Sequence, residues 1–88
     1  MTTPAIVPTS RDFDALAVQA RLEAMRFDAK PETLPRMTET ADRLRTLWLA
    51  RRWQGHADSL RLKDEILACR RPDELMRVYS GWVDSEEA

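Results

Sequence analysis

The sequence predicts an all-α protein built from two or three amphipathic helices. The chain has 88 residues, a third of them charged, and only two glycines, which is typical of helices rather than of a sheet. Its five prolines lie at three places and leave three proline-free stretches. Within each stretch, apolar residues recur every three or four positions, the period of a helix. We expect helices over about residues 10–27, 35–70 and 72–84, in an antiparallel or extended arrangement with a long central helix.

The first predicted helix has apolar residues on two opposite sides. Residues 1–9, rich in Thr and Pro, are predicted to be a disordered N-terminal tail that precedes it. One stripe of the helix comprises Phe13, Leu16, Ala20, Ala24 and Phe27, and the other comprises Val18, Leu22 and Met25. A helix that is apolar on two sides needs two partners, or one partner and a surface.

The central helix is predicted to begin near Pro35 and to run to Arg70. Its main apolar stripe is interrupted around Gly55 but resumes in the same helical phase, which favours one long helix bent at the glycine. The stripe consists of Met37, Ala41, Leu44, Trp48, Leu62, Ile66 and Cys69. The alternative is a helical hairpin in which Gly55 caps the C-terminus of the first arm.

A second apolar stripe lies about 130° around the central helix from the first. It consists of Leu49, Trp53, His56, Leu60 and Leu67. One stripe can be buried against the other helices, whereas the other must contact something else. A small chain without disulfide or metal commonly needs such help to be stable, so we expect a homo-oligomer or adsorption to a surface.

A proline corner leads into the last helix. Pro72 suits the first helical position, where its missing N–H would have no partner. Glu74 places negative charge at the positive end of the helix dipole, and we interpret these two residues as a structural corner. The residues predicted to contact a surface or partner outside the subunit are Leu49, Trp53, Leu60, Leu75, Val78, Tyr79 and Trp82.

Catalysis is not expected. His56 and Cys69 are the only residues of their kind, and they lie about 20 Å apart along an unbroken helix, too far to act as base and nucleophile. The chain offers too few ligands for a structural metal site and has no glycine-rich phosphate loop. We therefore predict a protein that is not an enzyme and uses neither cofactor nor metal.

The cysteine content and the charge limit the compartment that suits the protein and the partners that it can bind. A single cysteine excludes an internal disulfide and fits a reducing, cytoplasmic compartment. The sequence shows no signal peptide and no transmembrane segment. Eight basic residues face three acidic ones between Arg43 and Arg71, but they are spread around the helix instead of lining a groove. Nucleic acid is therefore not the partner that the sequence favours.

The proline corner also resembles the signature of phasins, small helical proteins that coat bacterial polyhydroxyalkanoate granules. In that family a long helix ends in an alanine-rich corner with a proline and a Glu-Leu pair, and a shorter helix follows. The matching residues here are Ala68, Pro72, Glu74 and Leu75. The likeness in sequence is concentrated in residues 60–82. It departs from the family at Arg71, where phasins usually carry Ser, Thr or Asp as the helix cap.

The resemblance implies one phasin-like helical domain over residues 10–84. Residues 85–88 are predicted to be a disordered C-terminal tail. It implies a non-catalytic, granule-associated protein that self-associates and binds the polyester surface through apolar helical faces, while its charged face prevents coalescence. Two alternatives stay open. The first is a small helical adaptor or regulator that binds another protein, and the second is a nucleic-acid-binding regulator.

Overall fold

Four α-helices form the part of the chain that the computed structural model describes, the backbone of residues 10–84 and the side chains of residues 13–83. The helices are α1 (Ser10–Asp28), α2 (Leu34–Trp53), α3 (Asp58–Ala68) and α4 (Pro72–Tyr79). A π-helical segment, Ser80–Asp84, continues α4. No strand occurs within these residues, and the all-α prediction is confirmed. The tails predicted over residues 1–9 and 85–88 lie outside the described region.

The prediction of one continuous central helix over residues 35–70 is wrong. The helix ends at Trp53, and the next begins at Asp58. Gly55 between them has a φ of +73°, a left-handed conformation that glycine adopts readily. The N–H of Gly55 donates to the carbonyl of Arg52 at 3.1 Å, and the N–H of His56 donates to that of Arg51 at 2.9 Å. This pair of bonds is a Schellman motif, so the hairpin alternative is the observed one.

The core lies where the four helices meet. It contains one of the two α1 stripes and the main stripe of the predicted central helix, now divided between α2 and α3. The buried apolar side chains are Val18, Leu22, Met25, Met37, Ala41, Leu44, Trp48, Leu62, Ile66, Cys69, Leu75 and Trp82. Both arms of the hairpin therefore direct their in-phase residues into one core, which removes apolar surface from water.

Specific polar contacts fix the helices around this core. The indole N–H of Trp48 donates to the carbonyl of Ser59 at 3.1 Å, which joins α2 to α3 just beyond the turn. The guanidinium of Arg21 donates to the carbonyl of Cys69 at 2.9 Å, so α1 satisfies the end of α3. Nearer the N-terminus of α1, the Asp14 carboxylate lies 3.4 Å from Lys63 Nζ of α3.

Two residues predicted to contact a partner lie in the core instead. Leu75 is fully buried and Trp82 is 8% exposed. The indole N–H of Trp82 donates to the Glu65 carboxylate at 2.9 Å, and the Arg61 guanidinium lies 4.6 Å from the ring centroid. The last helix packs back against the others because this face is its largest apolar surface. Leu75 and Trp82 are therefore structural anchors and are not available to a partner.

Candidate interaction surfaces

Apart from Leu34 at the start of α2, the exposed large apolar side chains fall into two groups, one on α1 and one near the turn between α2 and α3. We define the α1 face as Phe13, Leu16, Ala20, Ala24 and Phe27, all exposed. We define the hairpin patch as Leu49, Trp53 and Leu60, also exposed. Scattered exposed apolar residues are ordinary on protein surfaces, but a set that follows one helical face is a candidate contact surface.

The α1 face exists because α1 uses its other stripe for the core. Val18, Leu22 and Met25 are each almost completely buried, which turns the opposite stripe outward. Phe13 is 59% exposed and Phe27 is 89% exposed. The C-terminal part of this face borders a shallow depression. Its lining consists of Ala20, Glu23, Ala24, Arg26, Phe27, Ala29, Pro31 and Leu34. The face therefore combines exposed aromatic rings with a mainly apolar hollow that has one ion pair, Glu23 with Arg26, at its edge.

The hairpin patch is dominated by Trp53, which is 92% exposed at the last position of α2. The neighbouring arginines are engaged elsewhere. The Arg52 guanidinium lies 5.0 Å from the centroid of the Trp48 ring, and Arg51 forms an ion pair with Asp58 at 3.6 Å. An exposed indole at a helix end, with charged residues close by, suits the boundary between an apolar phase and water.

The remaining predicted contact residues are only partly accessible. Val78 and Tyr79 are half-buried and pack against the core. The Tyr79 hydroxyl accepts a hydrogen bond from Arg43 at 3.2 Å, which holds α4 against α2. Of the seven residues predicted from the sequence, the structure thus leaves Leu49, Trp53 and Leu60 on the surface. Sequence reasoning found the outward stripe of α1 but did not select it, because both stripes of that helix are similarly apolar.

The proline corner is closed by Glu74. Pro72 occupies the first position of α4, and Arg71 before it makes no side-chain cap. The Glu74 carboxylate instead accepts the backbone N–H groups of Arg70 at 2.7 Å and Arg71 at 3.0 Å. These two hydrogen bonds hold the pKa of Glu74 below its ordinary value of 4.5, and the bond from Arg70 has the larger effect. Glu74, the third residue of the helix, thus makes the half of a capping box in which the acidic side chain binds the backbone N–H of the capping residue.

The arrangement of His56 and Cys69 offers no catalytic pair. His56 is exposed in the turn before α3, and Cys69 is buried just beyond the other end of that helix, about 16 Å of helix away. Burial raises the pKa of the Cys69 thiol to about 11, which opposes formation of a nucleophilic thiolate. Among the described side chains, no group of three His, Cys, Asp or Glu residues is placed to hold a metal ion.

Several basic side chains of the hairpin are held by partners within the domain. Lys63 and Arg51 contact acidic partners. Arg61 lies over the Trp82 ring and within 3.9 Å of Glu65. A surface that follows a phosphate backbone would present such groups together and outward. The observed contacts therefore do not favour a nucleic-acid interface on α2 and α3.

Comparisons with protein-family models, with curated proteins and with solved structures find no match to this chain. The resemblance to phasins at the proline corner consequently stays a prediction. None of the helices between residues 10 and 84 has the length and apolarity needed to cross a membrane. The two exposed apolar surfaces are therefore the features of the domain that bear on its function.

Proposed function

We propose that this protein is a non-catalytic, phasin-like helical protein that adsorbs to polyhydroxyalkanoate granules and self-associates. The observation that carries the proposal is the exposure of Trp53, 92%, together with Leu49 and Leu60 on a domain whose core is already filled by other side chains. An apolar surface that no internal element covers is one that an external apolar phase can cover.

The energetics favour reversible adsorption. Removing a large apolar side chain from water contributes roughly 2 kcal/mol. The three side chains of the hairpin patch can therefore hold the protein on a polyester surface weakly, and many copies together can coat it. Charged side chains fill much of the remaining surface, including the ion pair of Glu39 with Arg43 at 3.2 Å. A charged outer layer would keep coated particles apart in water.

A pelleting assay with purified granules tests the proposal. The wild-type protein should sediment with the granules at low salt. The double variant Leu49→Ser, Trp53→Ser should shift mostly to the supernatant, because it removes the centre of the hairpin patch without touching the core. Gln54→Ser, at the exposed neighbour of Trp53, is the matched control and should pellet like wild type. A wild-type protein that stays in the supernatant would refute surface coating.

The spacing of the α1 face favours a helical adaptor as the second candidate function. Residues 13, 16, 20, 24 and 27 lie at intervals of three and four, the spacing with which a helix fills the groove of another protein. An adaptor would form a complex of fixed stoichiometry with its partner and show no affinity for apolar particles. The pelleting assay separates these two functions.

A further inference from the structure

The α1 face is symmetric about Ala20. Phe13 and Phe27 lie seven residues on either side of Ala20, and Leu16 and Ala24 lie four residues on either side. At 1.5 Å per residue, the two rings are each about 10.5 Å from the centre of the face. The apolar positions therefore have the same spacing in both directions along the helix, with an aromatic ring at each end and a small residue in the middle.

A surface with this symmetry is complementary to itself when two copies run antiparallel. A two-fold axis beside Ala20 brings Phe13 of one copy level with Phe27 of the other, at both ends of the contact. Aromatic rings placed side by side attract each other beyond the area they bury. The alanines meet at the axis, where small side chains let the helix axes approach closely. We propose that the α1 face is the interface of an antiparallel, two-fold dimer of this chain.

The hollow beside Phe27 fits the same arrangement. Its floor is mainly apolar, with Ala20, Ala24, Ala29, Pro31 and Leu34, and the ion pair of Glu23 with Arg26 lies on its rim. In the antiparallel dimer, Phe13 of the second copy would lie level with this hollow. Each copy thus supplies a ring for the hollow of the other. A two-fold interface requires such a pair of features on one surface, since both copies present the same residues.

A second copy fits the face better than the N-terminal tail does. The apolar tail residues Ala5–Val7 precede Ser10, where α1 begins. At no more than about 3.5 Å per residue, Ala5, the farthest of them, can reach about 17 Å from that point. Phe27 lies about 25 Å along the helix from Ser10. This apolar segment therefore cannot reach Phe27, the more exposed ring of the face.

The size of the face indicates a reversible dimer. Its two rings, one leucine and two alanines expose on the order of 500 Å² per copy, less than the roughly 800 Å² per partner of a standard stable interface. We therefore expect dissociation at about micromolar concentrations. The inference rests on the self-association in the proposed function, but dimerisation is measured without granules and can fail independently of adsorption. The dimer leaves the hairpin patch, on α2 and α3, for the granule.

Sedimentation velocity over a range of concentrations, from low micromolar to several hundred micromolar, tests the dimer. The wild-type protein should show a reversible monomer–dimer equilibrium. Ala20→Glu places two carboxylates against each other at the axis and should weaken the dimer by at least about tenfold. The matched control is Ala50→Glu, at an exposed alanine in the interior of α2, and it should dimerise like wild type. Circular dichroism confirms that both variants stay helical.

Disulfide trapping tests the position of the axis independently. Under mild oxidation Ala20→Cys should form a cross-linked dimer, since its thiol meets its own copy, whereas Ala50→Cys should not. A wild-type protein that is monomeric at every concentration would overturn the inference. So would unimpaired dimerisation of Ala20→Glu, or a dimer that appears only after residues 1–9 are deleted, which would show that the tail covers the face.

Discussion

At the scale of single residues, the three tryptophans show how environment decides the role of one side-chain type. Trp48 and Trp82 are buried, and each indole N–H has an acceptor, Ser59 or Glu65. Trp53 is exposed at a helix end. Periodicity predicted burial for Trp48, but the prediction that Trp82 contacts a partner outside the subunit was wrong. The direction of a short last helix depends on how it packs against the others.

This difference in burial predicts that alanine substitutions of Trp82 and Trp53 change the stability by very different amounts. Trp82→Ala should lower the free energy of unfolding by about 3 kcal/mol, because it leaves a cavity and removes the Glu65 contact. Trp53→Ala should change the free energy of unfolding by no more than about 0.5 kcal/mol, as for other exposed sites. Urea denaturation followed by far-ultraviolet circular dichroism measures both. Equal losses would contradict the placement of Trp53 on the surface.

Glu74 predicts a specific dependence of stability on pH. Its pKa is lower in the folded protein than in the unfolded chain, because the ionised carboxylate accepts the N–H groups of Arg70 and Arg71. The stabilisation is therefore complete above the unfolded pKa near 4.5 and is lost as pH falls through the folded pKa.

The test compares wild type with Glu74→Gln by urea denaturation at several pH values. Wild type should be the more stable at neutral pH, and the difference should shrink as pH falls below 4.5, the ordinary pKa of this carboxyl. Glu32→Gln, at an exposed residue outside the corner, should show no such convergence. A difference that stays constant with pH would mean that the charge of Glu74 does not close the corner.

At the scale of the elements, the turn between α2 and α3 explains why periodicity predicted one long helix. The four residues from 54 to 57 separate the two helices, and four residues are close to one helical turn of 3.6. Apolar residues on the two arms therefore keep the same phase whether the chain continues or reverses. Gly55 was the residue that decided between the two structures. The backbone freedom of glycine makes it unfavourable inside a helix, and the same freedom lets it adopt the left-handed conformation that ends one.

The conformation of the turn predicts that substitution by alanine changes the stability differently at the two glycines of the chain. Neither Gly55 nor Gly81 has an atom within 4 Å of the position that a Cβ would take, so neither substitution by alanine causes a clash. Gly55→Ala should destabilise the protein by about 1 kcal/mol, because its φ of +73° is strained for alanine. Gly81→Ala should be neutral or stabilising by up to about 1 kcal/mol, because alanine favours helical backbone.

Urea denaturation of the two glycine variants measures this difference directly. Gly55→Asn, with a residue that tolerates the left-handed region, should recover part of the loss. If Gly55→Ala instead raised the stability and the helical signal, the two arms would be joining into one helix, and the hairpin would not be the preferred structure.

At the scale of the whole molecule, the sequence was sufficient for the fold class and for the number of apolar faces, but not for which faces are covered. The periodicity of α1 identified two stripes, and only packing shows that Val18 and Leu22 face inward while Phe27 faces outward. The same applies to the two stripes predicted for the central helix, where Leu49 and Trp53 of the second stripe are exposed. Burial is a property of the assembled helices, so a pattern within one helix cannot assign it.

The contrast between buried and exposed tryptophans also provides a test of how the whole molecule adsorbs. If the folded domain binds an apolar surface intact through the hairpin patch, only Trp53 leaves water, because Trp48 and Trp82 are already buried. Intrinsic fluorescence should then shift to shorter wavelength when granules are added. Trp53→Phe should still bind but lose this shift, whereas Trp82→Phe should retain it. Adsorption that unfolded the domain would instead change the emission of Trp48 and Trp82 and persist in the Trp53→Phe variant. Such a result would mean that the granule is coated by opened helices that expose the core stripe, and not by the folded four-helix domain.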